Sequence, residues 1–167
     1  MLSFFRIVWQ VATFRRSPAD VPHSQPLCLY ALACSAFLSA LFVFVLRGDL
    51  ANFAESYLVS LLLNGFFVFW LVGFARKRER FLQTFTAMLG ASCVVLIAQI
   101  VVAVIATGGG SVTLGQILFE FVVLWSLLID AYILSRALEI AFLFGGLIAF
   151  GLFLMQLNVL RAIAGGA

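Results

Sequence analysis

The sequence predicts an all-α, polytopic integral membrane protein, with five transmembrane helices preceded by an N-terminal interfacial amphipathic helix. Three observations carry this. Hydrophobic residues make up 65% of the 167 residues and charged residues 10%, where an average soluble domain has about 25% charged. The mean hydropathy is +1.19. Five apolar runs have the length needed to cross the hydrocarbon, about 20 residues each, and together they occupy most of the chain. One membrane domain and no separate soluble domain is the expectation.

Residues 1–16 carry a narrow polar stripe. Ser3, Arg6, Gln10, Thr13 and Ser17 recur at steps of three and four, and apolar residues including Trp9 and Phe14 lie between them. The run is too short to span. It suits a helix in the headgroup region with its aromatic residues inserted, or one packed on the transmembrane bundle, and the two arrangements are compatible. Residues 17–25 form a tether that leads to Pro26; Pro18, Pro22 and Pro26 are all the prolines of the chain, and proline removes a backbone donor and restricts the residue before it. Ser24 or Gln25 is placed to cap the next helix. His23, the only histidine, reads as a solvated residue of the tether. A cleaved signal peptide is rejected, because the apolar run continues past Cys34 to Leu46.

The first span is expected at residues 26–46. Ala31, Ser35 and Ser39 lie four apart, and small residues at that spacing allow close helix approach. Arg47-Gly48-Asp49 ends the run, and the second span follows at 53–75. The cluster Arg76-Lys77-Arg78-Glu79-Arg80 separates it from the third span at 81–106, and Gly108-Gly109-Gly110 makes the next turn. The fourth span is placed at 112–134 and the fifth at 137–160, with a turn around Ser135 and Arg136 and a short tail at 161–167. A single straight helix over both would be about 70 Å long at 1.5 Å per residue, more than twice the hydrocarbon thickness of about 30 Å.

Orientation follows from charge. With the N-terminus inside, Arg6, Arg15, Arg16, Arg76, Lys77, Arg78, Arg80 and Arg136 are cytoplasmic, which is eight of the ten Lys and Arg; Arg47 and Arg161 are the other two. The bias predicts N-in and C-out. The net charge of +3 sits at segment ends, as topology anchors do, and gives no basic stripe for nucleic acid.

Ionisable and amide residues inside the spans are the candidate functional residues, because they are costly in hydrocarbon. Asn64, Gln99 and Glu120 form the expected intramembrane polar cluster. Gln99 and Glu120 lie at equal depth in neighbouring spans and are expected to hydrogen-bond, either as helix glue or, with Asn64, as a proton or solute relay. Asp130 is expected near the cytoplasmic face, paired with Arg136 or the basic loop, and Arg136 and Glu139 are three apart and placed to pair across the turn. Ala141, Gly145 and Ala149 again lie four apart, a close-packing face for another helix or a second copy. Cys28, Cys34 and Cys93 lie in apolar runs without metal-ligand spacing; they read as small buried hydrophobes. No set of residues points to catalysis, a metal or another cofactor.

The stretch Arg80-Phe81-Leu82-Gln83-Thr84-Phe85, with Ala87 and Gly90 beyond it, resembles the start of the corresponding helix in bacterial members of the Ypt/Rab-interacting (Yip-type) membrane protein family. Leu124-Trp125-Ser126-Leu127-Leu128 and Ser135-Arg136-Ala137-Leu138-Glu139 are similar to the last two helices of that family and the turn between them. The resemblance, over about residues 26–160, implies five membrane helices and a cytoplasmic N-terminus. The acidic segment with a Tyr-Gly-Pro motif of eukaryotic members is absent, so the resemblance does not extend to a GTPase partner.

The leading expectation is therefore a non-enzymatic membrane protein that acts as a scaffold, assembly or membrane-organising factor through helix and lipid contacts. The alternative is a small transporter or channel component using Asn64, Gln99 and Glu120. The expected partners are the bilayer and a membrane protein or a second copy. The basic loop, Arg76, Lys77, Arg78 and Arg80, is the expected meeting point with lipid headgroups or a cytoplasmic partner. Compact loops and the lack of a signal peptide place the protein in a bacterial inner membrane.

Overall fold

The computed structural model describes residues 2–15, 17–18, 21, 24–46, 50–107 and 112–165. Among them the secondary structure is helical: α1 (Leu2–Ala12), α2 (Gln25–Val45), α3 (Leu50–Phe74), α4 (Phe81–Thr107), α5 (Val112–Leu138) and α6 (Phe142–Gly165), with one 3₁₀ turn at Arg78–Arg80. Five of these helices are long and apolar enough to cross a membrane. The expected turns at Arg47-Gly48-Asp49 and Gly108-Gly109-Gly110, together with His23, lie outside the described residues.

α4 is the best-buried span and organises the others. One core joins Val11 and Ala12 of α1 to Ala87, Ala91 and Val95 of α4 and to Val122, Ile129 and Ile133 of α5. A second joins Ala131 and Leu134 of α5 to Ala149 and Leu152 of α6, with Phe67 and Leu71 of α3 against them. Close approach depends on small residues. Ala31 and Ser35 of α2 are buried, and the Cys93 thiol of α4 lies 3.8 Å from the Ala31 carbonyl it faces. At Gly145 of α6 an added Cβ would stand 2.5 Å from the Ala131 carbonyl oxygen and 2.9 Å from Ser135 Cβ. The small-residue face of the last span therefore meets α5.

α1 is amphipathic and packs on the bundle through Val8, Val11 and Ala12. Trp9 is more than half exposed and shares a recess with Val94, Ile97, Ala98 and Trp125, near the middle of α4 and α5. Phe14, just past the helix, meets Tyr132 edge to face at 5.3 Å. The helix thus leans lengthwise on α4. At the start of α2, Ser24 holds the N-cap position with its backbone, and its side chain makes no capping hydrogen bond.

The turn between the last two spans is displaced from its expected place. α5 runs on through Ser135 and Arg136 to Leu138, and the chain reverses at residues 139–141. Glu139 takes φ 57°, and the Ile140 N–H donates to the Ser135 carbonyl at 3.0 Å, the closing bond of a Schellman cap. α3 ends in the same way: Arg76 has φ 56°, and Lys77 N–H donates to Val72 O at 2.9 Å. So does α1, with Phe14 at φ 61° and Arg15 N–H donating to Gln10 O at 2.7 Å. Glycine is the usual residue at this position, because a Cβ is strained there. These three helices stop without the glycine signal, and at the end of α5 nothing else in the sequence takes its place.

Candidate intramembrane binding cavity

Polar side chains from each of the five spans meet in one place. A cavity of about 530 Å³ is lined from α2 by Ser39, from α3 by Ser56, Tyr57 and Ser60, from α4 by Ser92 and Gln99, from α5 by Ser126 and Asp130, and from α6 by Gln156. Phe42, Val43 and Phe53 also line it. They stand at the end of α2 and the start of α3, away from the basic loop, so the cavity runs inward from that end to Asp130. The helical repeat explains the gathering. Ser56 and Ser60, and Ser126 and Asp130, are four residues apart, which puts each pair on one helix face.

The lining is rich in acceptors. The Ser92 hydroxyl donates to Leu89 O at 2.7 Å and the Ser126 hydroxyl to Val123 O at 2.7 Å. Their protons are engaged by their own helices, and oxygen lone pairs are left for the cavity. Tyr57 Oη lies 2.7 Å from Ser35 Oγ, which fixes the ring at the wall. Asp130 is half-buried, and among the described residues no protein group hydrogen-bonds to its carboxylate or pairs with it. An acid among hydroxyl oxygens and amides suits a positively charged, donor-rich solute, and the volume lies within the usual range for small-molecule sites, about 300–1,000 Å³.

The expected polar cluster is not assembled. Gln99 lines this cavity, whereas Glu120 is exposed and borders a separate recess with Gln116 and Thr107 at the end away from the basic loop. No hydrogen bond joins them among the described residues. The cause is rotation: the core face of α5 is set by Val122, Ile129 and Ile133, and Glu120, two residues before Val122, is about 200° around the helix from it. Asn64 is half-buried on α3 and lines neither cavity. The expected pairing of Asp130 with Arg136 or the loop is absent as well. Six residues separate it from Arg136, about 240° of rotation, and Asp130 faces inward. The signal that would have found the site was the four-residue spacing of hydroxyl and carboxyl residues in α3 and α5.

The ion pairs form at the other end of the bundle. Glu139 takes Lys77 and Arg80 as partners, with Arg80 Nη1 donating to Glu139 Oε1 at 2.7 Å. These two hydrogen bonds, Lys77 first, hold the Glu139 carboxyl below its ordinary pKa. The expected Arg136–Glu139 pair is not made, since Glu139 turns to the loop of α3 and Arg136 lies over the Tyr132 ring at 5.5 Å. Among the described residues, no three His, Cys, Asp or Glu side chains come together as a metal site requires.

Five apolar spans long enough to cross a membrane define a polytopic helical membrane protein, and the exposed belt of large apolar residues, among them Phe37, Leu62, Phe121 and Leu147, is the surface such a protein turns to lipid. No protein-family model, curated protein or solved structure matches the chain, so its particular role is argued from the cavity itself.

Proposed function

We propose that the protein binds a small, positively charged, polar solute in the intramembrane cavity, as a carrier or solute-binding component. The observation that carries this is the convergence of polar side chains from all five spans on one cavity with Asp130, whose carboxylate has no protein partner among the described residues. Polar groups in hydrocarbon are costly, and helix glue would engage them with one another. The scaffold reading rested on small-residue faces, an interfacial helix and the lack of a catalytic set; of these, the small-residue faces at Ala31, Ser35, Gly145 and Ala149 are used inside the bundle.

The orientation belongs to the same proposal: N-in and C-out, in a bacterial inner membrane. The charge bias supports the orientation; the exposed aromatic ladder Phe66, Trp70 and Phe74 at the loop end of α3, with ring separations of 6.1 and 5.4 Å, supports only a membrane interface at that end, since aromatic residues gather at both interfaces.

The test is ligand-dependent stability and flux. Purified protein is melted with a panel of alkali cations, ammonium and small amino alcohols. A true ligand at about 100 times its Kd adds about 2.7 kcal/mol to the native state. The gain disappears in Asp130→Asn, and flux of that solute into proteoliposomes falls with it. If no member of the panel stabilises the wild type and flux equals that of empty liposomes, the reading fails.

A further inference from the structure

A second cavity, of about 650 Å³, lies at the loop end of the bundle, and Arg80, Arg136, Glu139, Tyr132, Ser135 and Phe142 are among the residues that border it. We propose that it binds the phosphate group of an anionic lipid headgroup. The position is the first argument. The cavity sits where α5 ends at Leu138 and α6 begins at Phe142, the level of the boundary between hydrocarbon and water. Exposed Phe142 and Leu143 stand on the hydrocarbon side of it, where a lipid's glycerol and acyl chains would lie.

Charge is the second argument. Two cations, Arg80 and Arg136, line the cavity with one carboxylate, Glu139, which is itself engaged by Lys77 and Arg80. Among the described residues Arg136 has no carboxylate partner, and its guanidinium is held over Tyr132, which leaves its N–H edge for a ligand. Arg80 gives one nitrogen to Glu139 and keeps further donors, since a guanidinium carries five. Two planar donor forks beside one opening match phosphate geometry better than they match a point acceptor. The Ser135 hydroxyl donates to Tyr132 O at 2.9 Å, so its proton is engaged by its own helix and the donors left at the opening are those of the two guanidinium groups. The Tyr132 ring is in turn braced by Phe14, and the N-terminal segment reaches this end again where Gln83 Nε2 donates to Val21 O at 3.3 Å.

The experiment uses the full chain in mild detergent with phosphatidylglycerol, phosphatidylcholine, glycerol phosphate and inorganic phosphate as separate probes, read by native mass spectrometry and thermal stability. Phosphatidylglycerol is expected to bind in preference to phosphatidylcholine. Arg136→Gln weakens it by about fivefold or more, on the scale of about 1 kcal/mol per basic residue at a membrane surface. Arg136→Lys keeps the charge, loses the fork and falls between the two; it decides the matter if Arg136→Gln does not fold. Arg161→Gln, at the opposite end of α6, leaves binding unchanged. Equal binding of the two lipids, no loss in the Arg136 variants, or an equal loss in Arg161→Gln overturns the proposal. Glycerol phosphate or inorganic phosphate that binds as tightly as the lipid overturns the lipid assignment in favour of a free phosphate.

Discussion

At the residue scale, Glu139 has two roles that the sequence kept apart. It ends α5 in the left-handed region and it gathers Lys77 and Arg80. Its carboxyl is held below its ordinary value by those partners, so the folded state favours the ionised form. The stabilisation is complete above the unfolded value, about pH 4.3 for glutamate, and is lost as pH falls through the depressed folded value. Glu139→Gln keeps the side-chain shape and removes the charge. Melting midpoints measured from pH 3 to pH 8 should show the wild type above Glu139→Gln at pH 7 and the two curves converging at the acid end. A gap that stays constant with pH would mean that the ion pairs contribute nothing. None of this was legible in advance, because Arg136 was the nearer partner along the chain. The left-handed turn carries Glu139 away from it and toward the loop of α3.

At the element scale, the five spans were legible because each is an apolar run of membrane length, and hydrocarbon tolerates few other backbone forms. The end of α5 was not, because its cap uses glutamate where glycine is usual. The packing of α6 on α5 was half legible: the spacing of Gly145 and Ala149 marked a face, and only the structure shows which helix fills it. Gly145→Ala tests that face. Its methyl would meet the Ala131 carbonyl at 2.5 Å and the Ser135 backbone nitrogen at 3.0 Å, and backbone cannot move aside as a side-chain tip can. We expect destabilisation of about 1–3 kcal/mol, as overpacking costs elsewhere. Gly151 is the control, since a methyl there meets nothing within 4 Å. Gly151→Ala should be neutral or stabilising by up to about 1 kcal/mol from helix propensity. Unfolding in graded denaturing detergent compares the two, and equal effects would remove the claim that α6 seats on α5 through Gly145.

At the scale of the whole molecule, the two ends of the bundle differ in kind. The loop end carries Lys77, Arg80, Arg136 and Glu139 around a charged recess, and the far end opens toward Asp130 through a cavity walled by every span. That wall could not be read from the sequence as a site, because its polar residues are dispersed over five helices and only folding brings them together. The arrangement makes a prediction about sidedness. In a chain with Cys28, Cys34 and Cys93 replaced by alanine, Lys77→Cys reports the loop end and Ser60→Cys reports the cavity. Proteoliposomes of one orientation are treated from each side with membrane-impermeant thiol reagents at about pH 8.5, where a water-exposed thiol is half ionised. Lys77→Cys should react only from the loop side, and Ser60→Cys only from the opposite side. A cationic reagent should modify Ser60→Cys faster than an anionic one, because Asp130 borders the same space, and Asp130→Asn should remove that preference. Were Ser60→Cys inert from both sides, the cavity would be dry and its polar lining merely structural; were it to react from the loop side, the cavity would open at the end bearing Lys77 and the two recesses would be parts of one path.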